Sequence, residues 1–171
     1  MLENNFNKIV LLYCLMFSLT NDTRKEGKRK NWFNRYLYLC HFCGSKKRGR
    51  KVGKTKSGKG SKVMAIVDGG TLPIALLVES ASPHESSLAL PTLRSRYTRD
   101  VPERLIGDKA YDSDPLREEL RRRFRCELIA PHKCNRKKPS TQDGRSLRRY
   151  RRRWVVERFF SWIQSFRRVE T

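Results

Sequence analysis

A chain of 171 residues and 20.2 kDa accommodates one ordinary domain and leaves little room for a second. Its 37% hydrophobic and 33% charged residues suffice for a modest core and exclude collagen-like, mucin-like and multi-span membrane architectures. Thirty-nine Lys plus Arg against 17 Asp plus Glu give a net charge of +22, a field that attracts polyanions. Nucleic acid comes before anionic lipid as the partner, because no lipidation signal is visible and the basic residues do not gather beside a spanning segment. The five cysteines, at 14, 40, 43, 126 and 134, make an odd count in a chain with a long apolar core, which suits a reducing cytoplasm better than a disulfide framework.

Residues 1 to about 38 show no clear period. The apolar run Ile9 to Leu19 is too short to span a bilayer, and no small-x-small cleavage pattern follows it, so neither a membrane anchor nor export is expected. The charge run Arg24 to Lys30 reads as a solvated loop. Cys40-His41-Phe42-Cys43 has the spacing of half a zinc site, but only His84, His132 and Cys134 remain as distant partners, and zinc is not expected. From Gly44 to Lys62 nine Lys or Arg and no acid are interleaved with Gly and Ser, which predicts a flexible basic loop. Its Gly-Lys repeats lack Walker spacing; Lys54, Lys56 and Lys59 read instead as phosphate contacts that neutralise DNA without reading its sequence.

The remainder reads as an α/β unit. Val63 to Val67 and Leu72 to Val78 are apolar on consecutive positions and flank Asp68-Gly69-Gly70, which predicts a hairpin of strands buried on both faces. Ser82-Pro83-His84-Glu85 opens a helical segment to about Tyr97, with a break at Pro91. Arg104 to Asp108 is a short strand delivering an acid at its end. Asp114 then caps a helix with Pro115 at its first position, running through Leu116, Leu120 and Phe124, and Cys126 to Ala130 closes a β-α-β unit. A basic loop follows from Pro131 to Gly144, and a long helix runs from about Ser146 to Val169.

On that last helix Val155, Phe159, Trp162, Ile163 and Phe166 form an apolar face, while Tyr150, Arg153, Glu157 and Gln164 gather opposite. An exposed helical Glu paired with Arg153 or Ser161 is the plain account of Glu157. Asp108 adds context, because a carboxylate held at a strand end can share a divalent metal with a neighbouring acid. Asp68, Asp112 and Asp114 are taken as turn formers.

The stretches VGKTKSGKGSKVMAIVDG, SASPHE, PERLIGDKAYDSDPL, IAPHKCNRKKPSTQDGR and LRRYRRRWVVERFFSWIQSFRR together resemble the bacterial insertion-sequence transposases of the DDE superfamily, over about residues 46 to 171. The resemblance implies an α/β, ribonuclease H-like fold, a mixed central sheet with helices on both faces, and Mg2+- or Mn2+-dependent cleavage and strand transfer at transposon ends. In such enzymes three acids hold two metals. The second matches Asp108, and the third lies in a helix bearing Tyr, two residues, Arg, three residues, Glu, six residues, then Lys. Tyr150, Arg153 and Glu157 fall at those spacings, and Gln164 stands at the Lys position. Asp108 and Glu157 are thereby the expected catalytic metal ligands. Tyr150, Arg153 and Gln164 are expected at DNA, as are Lys137 and Lys138 of the basic loop. The implied partners are transposon ends and target DNA, with a second copy of the chain compatible with that role, in a bacterial cytoplasm at the nucleoid.

The first acid is missing. Aligning Phe42, Lys46 and Lys47 with the family's Phe and Lys-Lys pair puts the acid's position on Leu39, and no Asp or Glu occurs between Glu26 and Asp68. Asp68 is explained by its turn. With no helix-turn-helix upstream, the expectation is a truncated or frameshifted copy in which residues 1–43 are divergent and 44–171 form a partial catalytic domain. Leu37, Leu39 and His41 alternating with Tyr36, Tyr38 and Cys40 remain able to make a first strand. The alternatives are a non-catalytic basic DNA-binding protein of the same fold and a ribosomal-type RNA-binding protein.

Overall fold

The computed structural model describes residues 36–44 (backbone path), 51–56, 58–142 and 144–164; the run Ile9–Leu19, the charge run 24–30, Lys46, Lys47 and Phe166 lie outside the described residues. Six strands build one mixed sheet: β1 (Tyr36–Gly44), β2 (Gly53–Thr55), β3 (Gly58–Val67), β4 (Pro73–Ser80), β5 (Arg104–Ile106) and β6 (Glu127–Ile129). β3 is the spine. It pairs antiparallel with β1 on one side, Leu37 opposite Val67 through Gly44 opposite Gly60. On the other side it pairs with β4 over Ser61 to Val67, and with β2 over Gly58 to Gly60. β1 then pairs in parallel with β5, and β5 in parallel with β6.

Period-two alternation on these strands sorts side chains between two cores. Met64 and Ile66 join Leu105, Leu128 and the buried residues of helices α1 (Glu85–Arg94) and α2 (Asp114–Phe124) on one face. Val63, Ala65, Val67, Ile106 and Ile129 join Val155, Val156, Phe159, Phe160 and Ile163 on the other. Helices therefore cover both faces, as the apolar runs required. Each fully buried aliphatic or aromatic side chain contributes about 1.5–3 kcal/mol of gross transfer free energy, so the second core is what holds the last helix down.

Several local expectations are corrected. The basic segment is not a loop throughout: Gly53–Thr55 and Gly58–Lys62 are strand, because β3 continues beyond its apolar half and finds backbone partners in β1 and β2. α1 does not break at Pro91, which sits on the exposed side of the helix, where the carbonyl of Ser87 left without a partner can meet water. α2 is capped by Ser113, not Asp114, whose position is the first inside the helix, with Pro115 second. The long terminal helix is three pieces: α3 (Gly144–Leu147), a 3-10 segment Arg148–Arg153, and α4 (Trp154–Gln164). The apolar stripe of α4 turns so that Val156 and Phe160 are buried and Trp162 is half-buried.

Among the described residues no helix is long and apolar enough to cross a membrane.

Candidate active site and nucleic-acid interface

β5 carries Asp108 to its place. Past Ile106 the ladder continues for one residue, the Gly107 N–H donating to the Ile129 carbonyl at 2.9 Å. Asp108 follows in extended conformation, and its Oδ1 accepts from the Ala110 N–H at 2.8 Å, capping the 3-10 turn Lys109–Tyr111. The carboxylate is half-buried. Since Ile106 pairs with Leu37 in β1, two further residues on each strand bring Asp108 level with Leu39. Leu39 in turn pairs with Ala65, a residue of the core beneath α4. The alternation from Ile106 puts Asp108 on that same face of the sheet.

The spacing of Tyr150, Arg153 and Glu157 has a structural cause in the change of helix type. In the 3-10 segment three residues make a turn, so Tyr150 and Arg153 eclipse, and Arg153 Nη1 donates to the Tyr150 hydroxyl at 3.0 Å. From Trp154 the α-helical period applies, and Glu157 stands one turn beyond Arg153, with Oε1 3.3 Å from Arg153 Nε. Both side chains of that ion pair are 51% exposed, so solvent screens it and it adds little to stability. The hydrogen bond to Tyr150 does most to hold the Arg153 guanidinium charged beyond its usual range, followed by the charges of Tyr150, Glu157 and Asp108. The strand β5 and the 3-10 segment Arg148–Arg153 lie next to each other, so the end of the strand and the start of α4 belong to one side of the molecule. Gln164 closes α4, its side chain outside the described residues. Beside Glu157, Trp154 is 47% exposed with the Arg158 guanidinium 4.7 Å from its ring centroid. The sequence reading passed over this Trp, although it lies just off the apolar stripe.

These groups do not complete a metal centre. Among the described residues no three His, Cys, Asp or Glu side chains stand together as a metal-binding group. One Asp108 oxygen is engaged by Ala110, Glu157 is paired with Arg153, and the strand position level with Asp108 belongs to Leu39. Asp68 does not take up the missing place: its Oδ1 accepts from Gly70 and Leu72 N–H at 2.8 and 2.9 Å inside the hairpin turn. Burial pushes its carboxyl up from the usual range, against the pull of those two donors.

The basic groups fall into two sets. Lys54 and Lys59 are directly opposite each other on the β2–β3 ribbon, and Lys54, Lys56 and Lys59 are all exposed. Like charges paired across a ladder repel, which an anion between them would relieve. Lys137 and Lys138 are exposed on the segment 131–142, Lys138 Nζ standing 3.6 Å from Asp114 Oδ2. That segment is fastened from below by Asp112 and Asp114. The Asp112 side chain is 2% exposed and accepts from His132 Nδ1 and the Lys133 N–H at 2.9 Å and from Arg136 Nη1 at 3.1 Å. Burial alone would raise its carboxyl, yet the donors outweigh this and hold it below the usual range. Asp114 accepts twice from Arg136 Nη2, at 2.9 and 3.1 Å, and from Arg117 Nη1 at 2.8 Å. The reading of Asp112 and Asp114 as turn formers is thus corrected: they are ion-pair anchors, and apart from the nearby Arg117 their side-chain partners His132 and Arg136, 20 to 24 residues away in sequence, left no local signal.

The architecture is thus a mixed α/β sheet with an acid just past the end of β5 and Tyr150, Arg153 and Glu157 on the terminal helical segment. The family described as the Transposase DDE domain matches residues 22–171, and the chain belongs to that family of insertion-sequence transposases. The match takes in β1 as well as everything after it. The chain is also 29% identical over 136 residues to a putative transposase for insertion sequence element IS402 from Burkholderia cepacia, covering 70% of this chain and 60% of that protein. It thus spans about three fifths of that relative's length.

Proposed function

We propose that this chain is a DNA transposase domain of insertion-sequence type, acting at transposon ends, in which DNA holding is retained and cleavage is impaired. The antiparallel strands β1, β3 and β4, with the short β2 beside β3, followed by β5 and β6 parallel to β1, and helices on both faces, support a ribonuclease H-like sheet. The observation that carries the reading is the family match over residues 22–171, within which Asp108 stands just past the end of β5 and Arg153 and Glu157 form an ion pair at the start of α4. A divalent cation, Mg2+ or Mn2+, would supply Lewis-acid stabilisation at phosphorus in such a site, and Asp108 and Glu157 are two of the carboxylates that would hold it. A hydrocarbon at the third position cannot ligate a cation, so metal occupancy and rate both fall. Arg153 and Tyr150 present a guanidinium and a hydroxyl suited to phosphate oxygens, Gln164 an amide in place of a charge, and Lys54, Lys56, Lys59, Lys137 and Lys138 neutralise the backbone.

A second reading, a DNA-binding protein without chemistry, is favoured by Leu39 alone. The two separate in one assay: nicking of supercoiled plasmid and of duplexes carrying the element's ends, with Mg2+ or Mn2+, by the natural chain, Leu39→Asp, and Leu39→Asp with Glu157→Gln. The proposal expects weak nicking by the natural chain, at least ten-fold more with Leu39→Asp, and its loss on adding Glu157→Gln. DNA binding with no nicking by any of the three would leave the non-catalytic reading.

A further inference from the structure

The segment 131–142 contains no helix or strand, includes Pro131 and Pro139, and carries Lys133, Arg136, Lys137 and Lys138 within six residues. In a chain of net charge +22 such a segment should repel itself and its surroundings into an open coil. Instead it is pinned at three points. Arg136, only 11% exposed in its side chain, spends its fork on both acids, Nη1 on Asp112 and Nη2 on Asp114. His132 bridges the two ends of the segment: its Nε2 accepts from the Thr141 N–H at 3.2 Å, which leaves the ring proton on Nδ1, donating to Asp112. Gln142 Nε2 donates to the Leu128 carbonyl at 3.0 Å, tying the far end to the strand β6.

The charges are sorted accordingly. The arginines Arg117 and Arg136 point inward and are neutralised, whereas Lys133 and Lys137 are exposed and Lys138, also exposed, has only a 3.6 Å contact with Asp114. The Lys133 backbone N–H is itself bonded to Asp112, so the anchor fixes the residue whose side chain faces solvent.

We propose that Asp112 and Asp114 are positioning residues for DNA: they hold segment 131–142 as a preformed arm whose outward lysines meet the phosphate backbone, with Arg136 as the internal pin and not a DNA contact. This rests on the reading of the chain as a DNA-acting domain. Two acids in a strongly basic protein thereby strengthen its hold on a polyanion. Preformation is the reason, because a lysine already fixed loses less conformational entropy on binding than one on an open coil.

The test turns on a sign. Removing any acid raises net charge by one, and charge alone then predicts tighter DNA binding. Asp114→Asn is the first variant, since Asp114 is less buried than Asp112; Asp100→Asn, an exposed acid elsewhere, makes the same charge change without touching the arm. Arg136→Lys keeps the charge and removes the fork, and covers the case in which Asp114→Asn fails to fold. Lys137→Ala removes a contact and leaves the anchor whole.

Affinity for a 20-base-pair duplex is measured against salt, alongside amide hydrogen exchange of the peptides covering 131–142 in the free protein. Asp114→Asn and Arg136→Lys should bind about 3- to 10-fold more weakly, with faster exchange in the arm, while Asp100→Asn binds equally or more tightly with exchange unchanged. Lys137→Ala should weaken binding with the arm's exchange as in the natural chain. If Asp114→Asn and Arg136→Lys bind as Asp100→Asn does, with arm exchange unaltered, the anchor role is overturned while the DNA reading stands. If the natural chain shows no salt-dependent binding to duplex at all, the DNA reading falls first and this inference with it.

Discussion

Replacing Gly107 with Ala puts a methyl group into the ring of Tyr111, and the consequence can be worked from distances. A Cβ built at Gly107 lies 2.8 Å from Tyr111 Cδ2, 3.0 Å from Cγ and 3.1 Å from Cβ, closer than packed carbon atoms tolerate. Tyr111 is 1% exposed and wedged in the core under α1 and α2, so the ring cannot swing to solvent. Gly107 has no left-handed φ, so its conformation is open to Ala, which gains about 0.4–1 kcal/mol from the less flexible unfolded chain. Overpacking of a filled core costs about 1–3 kcal/mol, leaving a net loss of about 1–2 kcal/mol. For a chain of this size that lowers Tm by roughly 2–8 °C, readable by calorimetry or circular dichroism. A Tyr111→Ala background should reduce the penalty, because it removes Cδ2 and Cγ, the two atoms the new methyl would meet most closely. A Tm unchanged by Gly107→Ala, or a penalty undiminished in the Tyr111→Ala background, would refute the steric account. The change also displaces Asp108, the next residue, so any metal-dependent nicking should fall further than stability accounts for.

Other perturbations have directions of their own. Thr71 is a β-branched residue at φ 71° in the β3–β4 turn, and Thr71→Gly should stabilise by about 1 kcal/mol in urea denaturation; a destabilisation would show that the turn is not strained. Asp68→Asn keeps an oxygen to accept from Gly70 and Leu72 while removing a buried charge, so its stability at pH 7 should match the natural chain within about 0.5 kcal/mol or exceed it. Because burial raises the Asp68 pKa, its ionisation costs stability above that value; relative to Asp68→Asn the natural chain should gain stability as pH falls through the raised value towards the ordinary carboxylate range, and identical pH profiles would count against the burial. Asp112 runs the other way. Its pKa is lowered in the folded protein, so its contribution is present above the ordinary carboxylate range and is lost as pH falls through the depressed value. Denaturant midpoints should therefore drop steeply below about pH 4, and Asp112→Asn should flatten that limb; an unchanged limb would remove Asp112 as the group responsible.

What was legible beforehand is what periodicity and local chemistry encode. Apolar residues on consecutive positions at Val63 to Val67 announced a strand covered on both faces, and Asp-Gly-Gly announced its turn. The β-α-β unit from Arg104 to Ile129 and the apolar face of the last helix followed from the same patterns. Family membership was likewise carried by motifs in order along the chain, and the matched region bears it out. Local signals failed where backbone partners decide. The Gly-Lys segment is strand because β1 and β2 supply hydrogen bonds to it, and α1 runs through Pro91 because its exposed side can meet water.

The site divides along the same line. Tyr150, Arg153 and Glu157 were legible as a spacing, but their stripe requires a 3-10 turn running into an α-helix, a change of pitch that composition does not announce. That Leu37 pairs with Ile106, which carries Asp108 past the end of β5 towards the position of Leu39, is a matter of parallel register between segments far apart in sequence. The anchoring of segment 131–142 is of the same kind: Asp112 and Asp114 carry ordinary turn chemistry until folding brings Arg136 and His132 over them. Sequence encodes which faces are apolar and which residues are charged; which charges meet is settled only when buried strands fix the register and the loops between them have nowhere else to go.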